Sequence, residues 1–171
     1  MFAANLFIMK APICSVCLKS DILCRRCSGV AGETGLSEND IKVARALFRL
    51  AGKSADGAVF RKSVESGRSM VIICGPGDAS KFVGRDGRIV RKLEKEFGKS
   101  VKIVEESGDM REFAQSLIYP VQVLGVNTLY RKGTEIVRVI AGSGGTRISD
   151  GDFLEVMKAV YRKDIELVFG S

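Results

Sequence analysis

Four cysteines constrain this chain more than any other feature in it. Cys14, Cys17, Cys24 and Cys27 read C-x2-C-x6-C-x2-C, two C-x-x-C pairs close together near the start. Each pair can fold a tight loop whose thiolates converge on one point, the donor set of a closed tetrahedral Zn(Cys)4 site. So short a segment rarely holds a fold without a metal or a cross-link. The flanking Lys10, Lys19, Arg25 and Arg26 favour ionised thiolates. A disulfide framework does not suit a chain without a secretion signal. A thioredoxin-like motif needs one C-x-x-C at a strand-to-helix junction, not two in tandem. The spacer between the pairs is short for a zinc ribbon, so residues 1–36 are expected to form an extension and a knuckle-like or rubredoxin-like site. Structural zinc is the expected ion, with iron as the alternative. The protein fills all four positions, which leaves no open site for catalysis. The fifth cysteine, Cys74, ends the apolar run Met70-Val71-Ile72-Ile73 and reads as a small core residue.

The remaining chain must bury a core. With 171 residues, 46% of them hydrophobic, it can build one ordinary domain or two very small ones. Lys and Arg number 27 against 20 Asp and Glu, giving +7. That excess favours polyanionic partners, nucleic acid first. There is no histidine, which removes the commonest general acid/base and the usual partner of a catalytic Ser or Cys. Gly75-Pro76-Gly77-Asp78 follows an apolar run, but no Gly-Lys-Ser/Thr comes after it, so it is not a P-loop. Neither an enzymatic activity nor a small-molecule substrate is expected. No apolar run is long enough to span a membrane. The start, Met1 to Ile8, is apolar without a basic n-region and does not read as a signal peptide, so a cytoplasmic protein is expected. Met9 is a candidate initiator, and in that reading residues 1–8 carry no function.

Beyond the cysteines, Ser37-Glu38-Asn39-Asp40 supplies an N-cap and early acids for a helix. Ile41, Ala44, Phe48 and Ala51 form its apolar face. Ala58 to Glu65 and Ser69 to Cys74 read as strands around a Ser66-Gly67 turn. Asp78 can cap a short helix over Ala79 to Val83. Gly84-Arg85-Asp86-Gly87 follows, then a helix from Arg88 to about Phe97 that Gly98 stops, then a strand from Ser100 to Glu105. On a wheel of 3.6 residues per turn, Arg91, Lys92, Lys95 and Lys99 fall within ~60° of Arg88. Ile89, Val90, Leu93 and Phe97 centre ~155° away. The helix therefore has a basic face and a core face. Residues 78–102 hold eight Lys/Arg and four Asp/Glu, so +4 of the total +7 sits there.

A G-x-x-G between two helices, after one strand and before another, resembles the KH domain in its type II order. The resemblance rests on Val71-Ile72-Ile73, Lys81-Phe82-Val83-Gly84-Arg85-Asp86-Gly87-Arg88-Ile89-Val90, Leu93-Glu94 and Val101-Lys102-Ile103-Val104. It covers about residues 38–106. It implies a clamp on the backbone of single-stranded RNA. Glycines leave no side chain to block a phosphate, and a helix N-terminus faces it. The RNA-binding residues so implied are Lys81, Gly84, Arg85, Asp86, Gly87, Arg88, Arg91, Lys92 and Lys95. Asp86 brings a negative charge into the loop, which Arg85 offsets.

The second half repeats the pattern: a helix from Met110 to Tyr119, strands Val121 to Leu129 and Glu135 to Ile140, a helix Asp150 to Tyr161, and a strand Ile165 to Phe169. Gly142-Ser143-Gly144-Gly145 spells G-x-x-G but follows its strand directly, so a packing role is expected. The expected fold is α+β: a zinc knuckle (1–36), a type II KH domain (37–107) and a degenerate KH-like domain (108–171). A small basic protein with such a tandem and a cysteine start resembles the archaeal proteins related to the transcription factor NusA. That resemblance implies a role in transcription elongation or termination, with nascent RNA and RNA polymerase as partners. Two other readings remain open from the residues: a ribosome-associated or ribosome-assembly protein on rRNA, and a protein-docking adaptor whose KH fold has lost RNA. Leu18, Ile22 and Leu23 would then serve for docking.

Overall fold

The structure, a computed structural model, describes residues 8–170. The reading of the first residues as a start without function lies outside them, Ile8 apart. The described chain is α+β, with two three-stranded sheets and the cysteine cluster near its start. Contacts group it into two units. One comprises the chain up to Ser63 with Ile72–Glu105; the other comprises Val64–Val71 with the chain from Glu106 onward.

The first unit opens with two helices, α1 (Ser15–Lys19) and α2 (Arg25–Thr34), each beginning straight after a cysteine, Cys14 and Cys24. The spacing predicts a tight loop at each C-x-x-C pair and marks no helix. Gly29 and Gly32 carry little helix propensity and interrupt the pattern, so pattern alone does not reveal α2. Next comes α3 (Glu38–Ala51). Its Ser37 cap accepts from the Asp40 N–H while the Asp40 carboxylate accepts from the Ser37 N–H, a complete capping box. The buried face of α3 is wider than Ile41, Ala44 and Ala51 and takes in Val43, Ala46 and Leu47, while Phe48 is only half-buried. The reason is packing on more than one side, since α3 meets α1 as well as the helices that follow it.

Strands β1 (Phe60–Ser66) and β2 (Ser69–Cys74) are neighbours joined by Gly67 and Arg68, and β3 (Ser100–Glu105) lies on the other side of β2. β2 is buried from Met70 through Cys74, as the centre of a covered sheet should be. Between β2 and β3 the chain forms α4 (Ala79–Val83), a tight turn at Arg85–Gly87, and α5 (Arg88–Phe97). Phe82, Ile89 and Leu93 anchor this crossover in the core. Gly98, at φ 65°, ends α5. Asp78 stands at the start of α4 without capping it. Its carboxylate accepts instead from the Val59 N–H and the Lys81 ammonium.

The later part of the second unit opens with α6 (Met110–Ile118), capped by the Asp109 carboxylate on the Arg111 N–H. β4 (Val123–Arg131) and β5 (Thr134–Ala141) pair antiparallel, from Val123 opposite Ala141 to Arg131 opposite Thr134. Lys132 and Gly133 turn the hairpin with φ 51° and 80°, the positive pair that two-residue hairpins favour. β4 starts two residues later than Val121, because the Gln115 side chain takes the local backbone groups: it donates to the Val121 carbonyl and accepts from the Val123 N–H. After α7 (Asp150–Tyr161), β6 (Asp164–Phe169) pairs parallel to β5. Phe113, Leu117, Ile118, Phe153, Val156 and Met157 supply the core against Val137, Val139 and Ala141.

Candidate functional site

Two constellations carry chemistry. In the first, the Sγ atoms of Cys14, Cys17, Cys24 and Cys27 all lie within 4.8 Å of one another. A tetrahedral thiolate site with bonds of ~2.3 Å places its sulfurs ~3.8 Å apart, so the set fits a metal ion with little movement. The two pairs are arranged alike. Cys14 and Cys24 precede their helices and are exposed, while Cys17 and Cys27 lie in the first turns and are buried. Each exposed cysteine donates its N–H to a buried sulfur of the other pair: Cys14 to Cys27 Sγ at 3.3 Å, and Cys24 to Cys17 Sγ at 3.1 Å. The Cys17 backbone N–H, above all, holds the Cys14 thiol down to about 6, and the Cys27 N–H likewise lowers Cys24. At Cys17 the Cys24 N–H pulls down, but burial and the bonds from neighbouring cysteines prevail and push the thiol up to about 12. Cys27 is raised by the same balance, against the Cys14 N–H. A metal ion bound here would have to displace protons from the buried pair.

Cys74 takes no part. Its Sγ donates to the Val104 carbonyl at 3.3 Å. Burial, helped by the charges of Glu105 and Asp78, pushes the thiol up to about 12.

The second constellation is the turn between α4 and α5. Gly84 has φ 73° and ψ 170°, Asp86 φ 53° and ψ 28°, and Gly87 φ 70° and ψ 21°. The Gly84 pair is open only to glycine. A Cβ there would also sit 2.8 Å from the Ile89 side chain, so the turn presses against the first turn of α5. Arg91 Nη1 donates to the Asp86 carbonyl at 2.6 Å and braces the loop. A groove of about 660 Å3 runs beside this turn. Of the residues expected to act together, Lys81, Gly84, Arg85, Asp86, Arg88 and Arg91 line it. Gly87 shapes the turn without lining the groove, and Lys92 and Lys95 lie exposed further along α5. Ser54, Ser80 and Ile89 complete the walls. Sequence spacing did not point to Ser54, which the chain brings in from before β1. Lys81 is tied to Asp78 at 2.8 Å. Burial pushes the Asp78 carboxyl up, but Lys81 and the Val59 N–H outweigh it and leave the group below the usual carboxylate range. With Lys81 offset by Asp78, the groove still gathers Arg85, Arg88 and Arg91 against the carboxylate of Asp86, a field suited to a polyanion.

The other G-x-x-G is built for packing. Gly144 has φ 152°, and a Cβ on it would stand 3.0 Å from Val121 Cγ2. Ser143 Oγ donates to the Gly170 carbonyl at 3.3 Å. No helix among the described residues is long and apolar enough to cross a membrane.

No family model matches the chain. The probable transcription termination protein NusA of Methanocaldococcus jannaschii is 36% identical to it over 64 residues, 37% of this chain and 34% of that protein. The match thus spans about a third of the relative's length. The crystal structure of APE1850 superposes with a TM-score of 0.56 at 19% identity, covering 72% of this chain and 92% of the other. At that identity the likeness is one of fold. The chain is therefore similar over part of its length to an archaeal NusA, and over most of its length in fold to a crystallised protein.

Proposed function

We propose that this protein is an RNA-binding factor of the KH class, acting in transcription elongation or termination. Residues 37–107 form the type II KH module and hold single-stranded RNA at the Gly84–Gly87 turn. Residues 108–171 form a degenerate KH-like module that packs and does not clamp. The cysteine segment is a structural zinc site, and the protein binds without catalysing. The observation that carries this reading is the glycine turn at the foot of a basic helix, with Lys81, Arg85, Arg88 and Arg91 around one groove. Partial identity to an archaeal NusA supports the link to transcription. A phosphate can approach this turn closely because no side chain projects from either glycine. The α5 N-terminus adds its positive end. Four converging sulfurs support zinc, which holds the segment closed and supplies no open coordination position.

The test compares binding of short single-stranded RNAs to wild type and to Arg85→Asp/Arg88→Asp at several salt concentrations. Wild type should weaken steadily with salt. The double variant should lose most binding, and its log–log salt slope should flatten by roughly 1.4, from two lost phosphate contacts on a single strand. Equal binding by a folded double variant would sink the clamp.

A further inference from the structure

Among the described residues, one buried side-chain nitrogen has no hydrogen-bond partner. Arg45, on α3, donates from Nε to the Cys17 carbonyl at 3.0 Å. Its Nη2 is buried and makes no hydrogen bond. Native interiors rarely leave such a donor unsatisfied, and an unpaired cationic one is especially costly. The guanidinium is a rigid plane, so the bond through Nε holds it against the backbone of Cys17, the buried cysteine of the first pair. The cations that flank the cysteines in sequence, Lys10, Lys19, Arg25 and Arg26, are all exposed. Solvent and salt screen them, and Lys19 stands over the Phe48 ring at 5.9 Å. A divalent ion held by four thiolates leaves a net negative charge, here on a cluster with two buried members, Cys17 and Cys27.

We propose that Arg45 is the counter-cation of the cysteine cluster, a positioning residue that balances its thiolate charge and ties the site to α3. The inference rests on the reading of the cluster as a metal site. It gives a role to a cation that stands where its own hydrogen bonds are incomplete. It also gives the short α1 a polar tie to α3 beside the apolar contact of Leu18, which is buried.

The experiment strips the full chain of metal and titrates it with Co2+, whose thiolate charge-transfer bands report on sulfur directly. Zn2+ then competes against a chromophoric chelator. Wild type is compared with Arg45→Met, Arg45→Lys and Lys19→Met, and circular dichroism of the metal-free forms checks that all fold alike. Arg45→Met should bind about 10- to 100-fold more weakly, the usual cost of losing an outer-sphere partner. Its charge-transfer band should move to lower energy, because sulfur without the nearby cation releases electrons more readily. Arg45→Lys should recover part of both effects, and Lys19→Met should behave as wild type. If wild type takes up Co2+ and Arg45→Met matches it in affinity and band position, Arg45 is not the counter-cation and the metal site stands alone. An equal loss in Lys19→Met would make the effect one of general charge and likewise overturn the proposal. If wild type takes up no Co2+, the metal reading and the proposal both fall.

Discussion

At residue 84 the backbone and the packing demand the same side chain, and at residue 87 they do not. Gly84 combines φ 73° with ψ 170° and has Ile89 against it. Gly87 lies in the left-handed region, which asparagine tolerates, with nothing closer to a Cβ than Arg91 Nη1 at 3.7 Å. Gly87→Asn should therefore fold with little loss, while Gly84→Ala should lose more than about 1 kcal/mol. Urea unfolding of the two variants measures the difference, and equal losses would contradict the geometry. Residues of this kind differ in how far sequence reveals them. The cysteine spacing is local, so the convergence of four sulfurs could be read from it. The pairing of Arg45 with the Cys17 carbonyl joins positions 28 residues apart, and nothing in the local pattern marks it. The positive φ of Asp86 is equally hidden, because that residue type is common in ordinary turns too.

Among the elements, α3 and α7 start in the same way and use the same device. Each has a Ser cap followed three residues later by a buried aspartate, Asp40 or Asp152, and each aspartate reaches a serine of β1. Asp40 accepts from the Ser63 N–H at 2.6 Å and from its hydroxyl at 2.8 Å; Asp152 accepts from the Ser66 hydroxyl. Burial pushes the Asp152 carboxyl up, but the hydroxyls of Ser66, Ser69 and Ser149 prevail and lower it. A lowered folded value means that its stabilisation is complete above the ordinary carboxylate value near 3.8 and is lost as pH falls below it. Asp152→Ala should cost about 1.5–3 kcal/mol at pH 7, the range for hydrogen bonds to a charged group. The gap from wild type should narrow at pH 3 in denaturant titrations; a gap independent of pH would show that the charge is irrelevant. The capping signals of α3 were legible because they are local, and α5 was legible because a 3.6-residue period separates its basic face from Ile89 and Leu93. The helix α2 was not: with Gly29 and Gly32 inside it, its cause lies in the cysteine cluster at its start and not in its own residues.

For the molecule as a whole, the cluster should act as the fastening of its N-terminal segment. Removing the ion with a strong chelator should melt α1 and α2, seen as rapid amide exchange over residues 14–34, while both sheets keep their protection. Metal affinity should rise with pH, because loading must displace protons from the raised thiols of Cys17 and Cys27. Intact protection after chelation would remove the fastening role. A different consequence follows from the make-up of the second unit, which takes Val64–Val71 from early in the chain and the rest from Glu106 onward. Ser66 and Asp152 are 86 residues apart. At ~5–20 residues per second of synthesis, the tip of the β1–β2 hairpin emerges roughly 4–17 s before the helix that completes its hydrogen bonds. Through that interval Val64, Met70 and Val71 lack their final cover, so the growing chain carries an apolar hairpin tip in need of shelter. Slowing translation between residues 71 and 150 should raise the aggregated fraction of new chains, and an unchanged fraction would show that the tip needs no shelter.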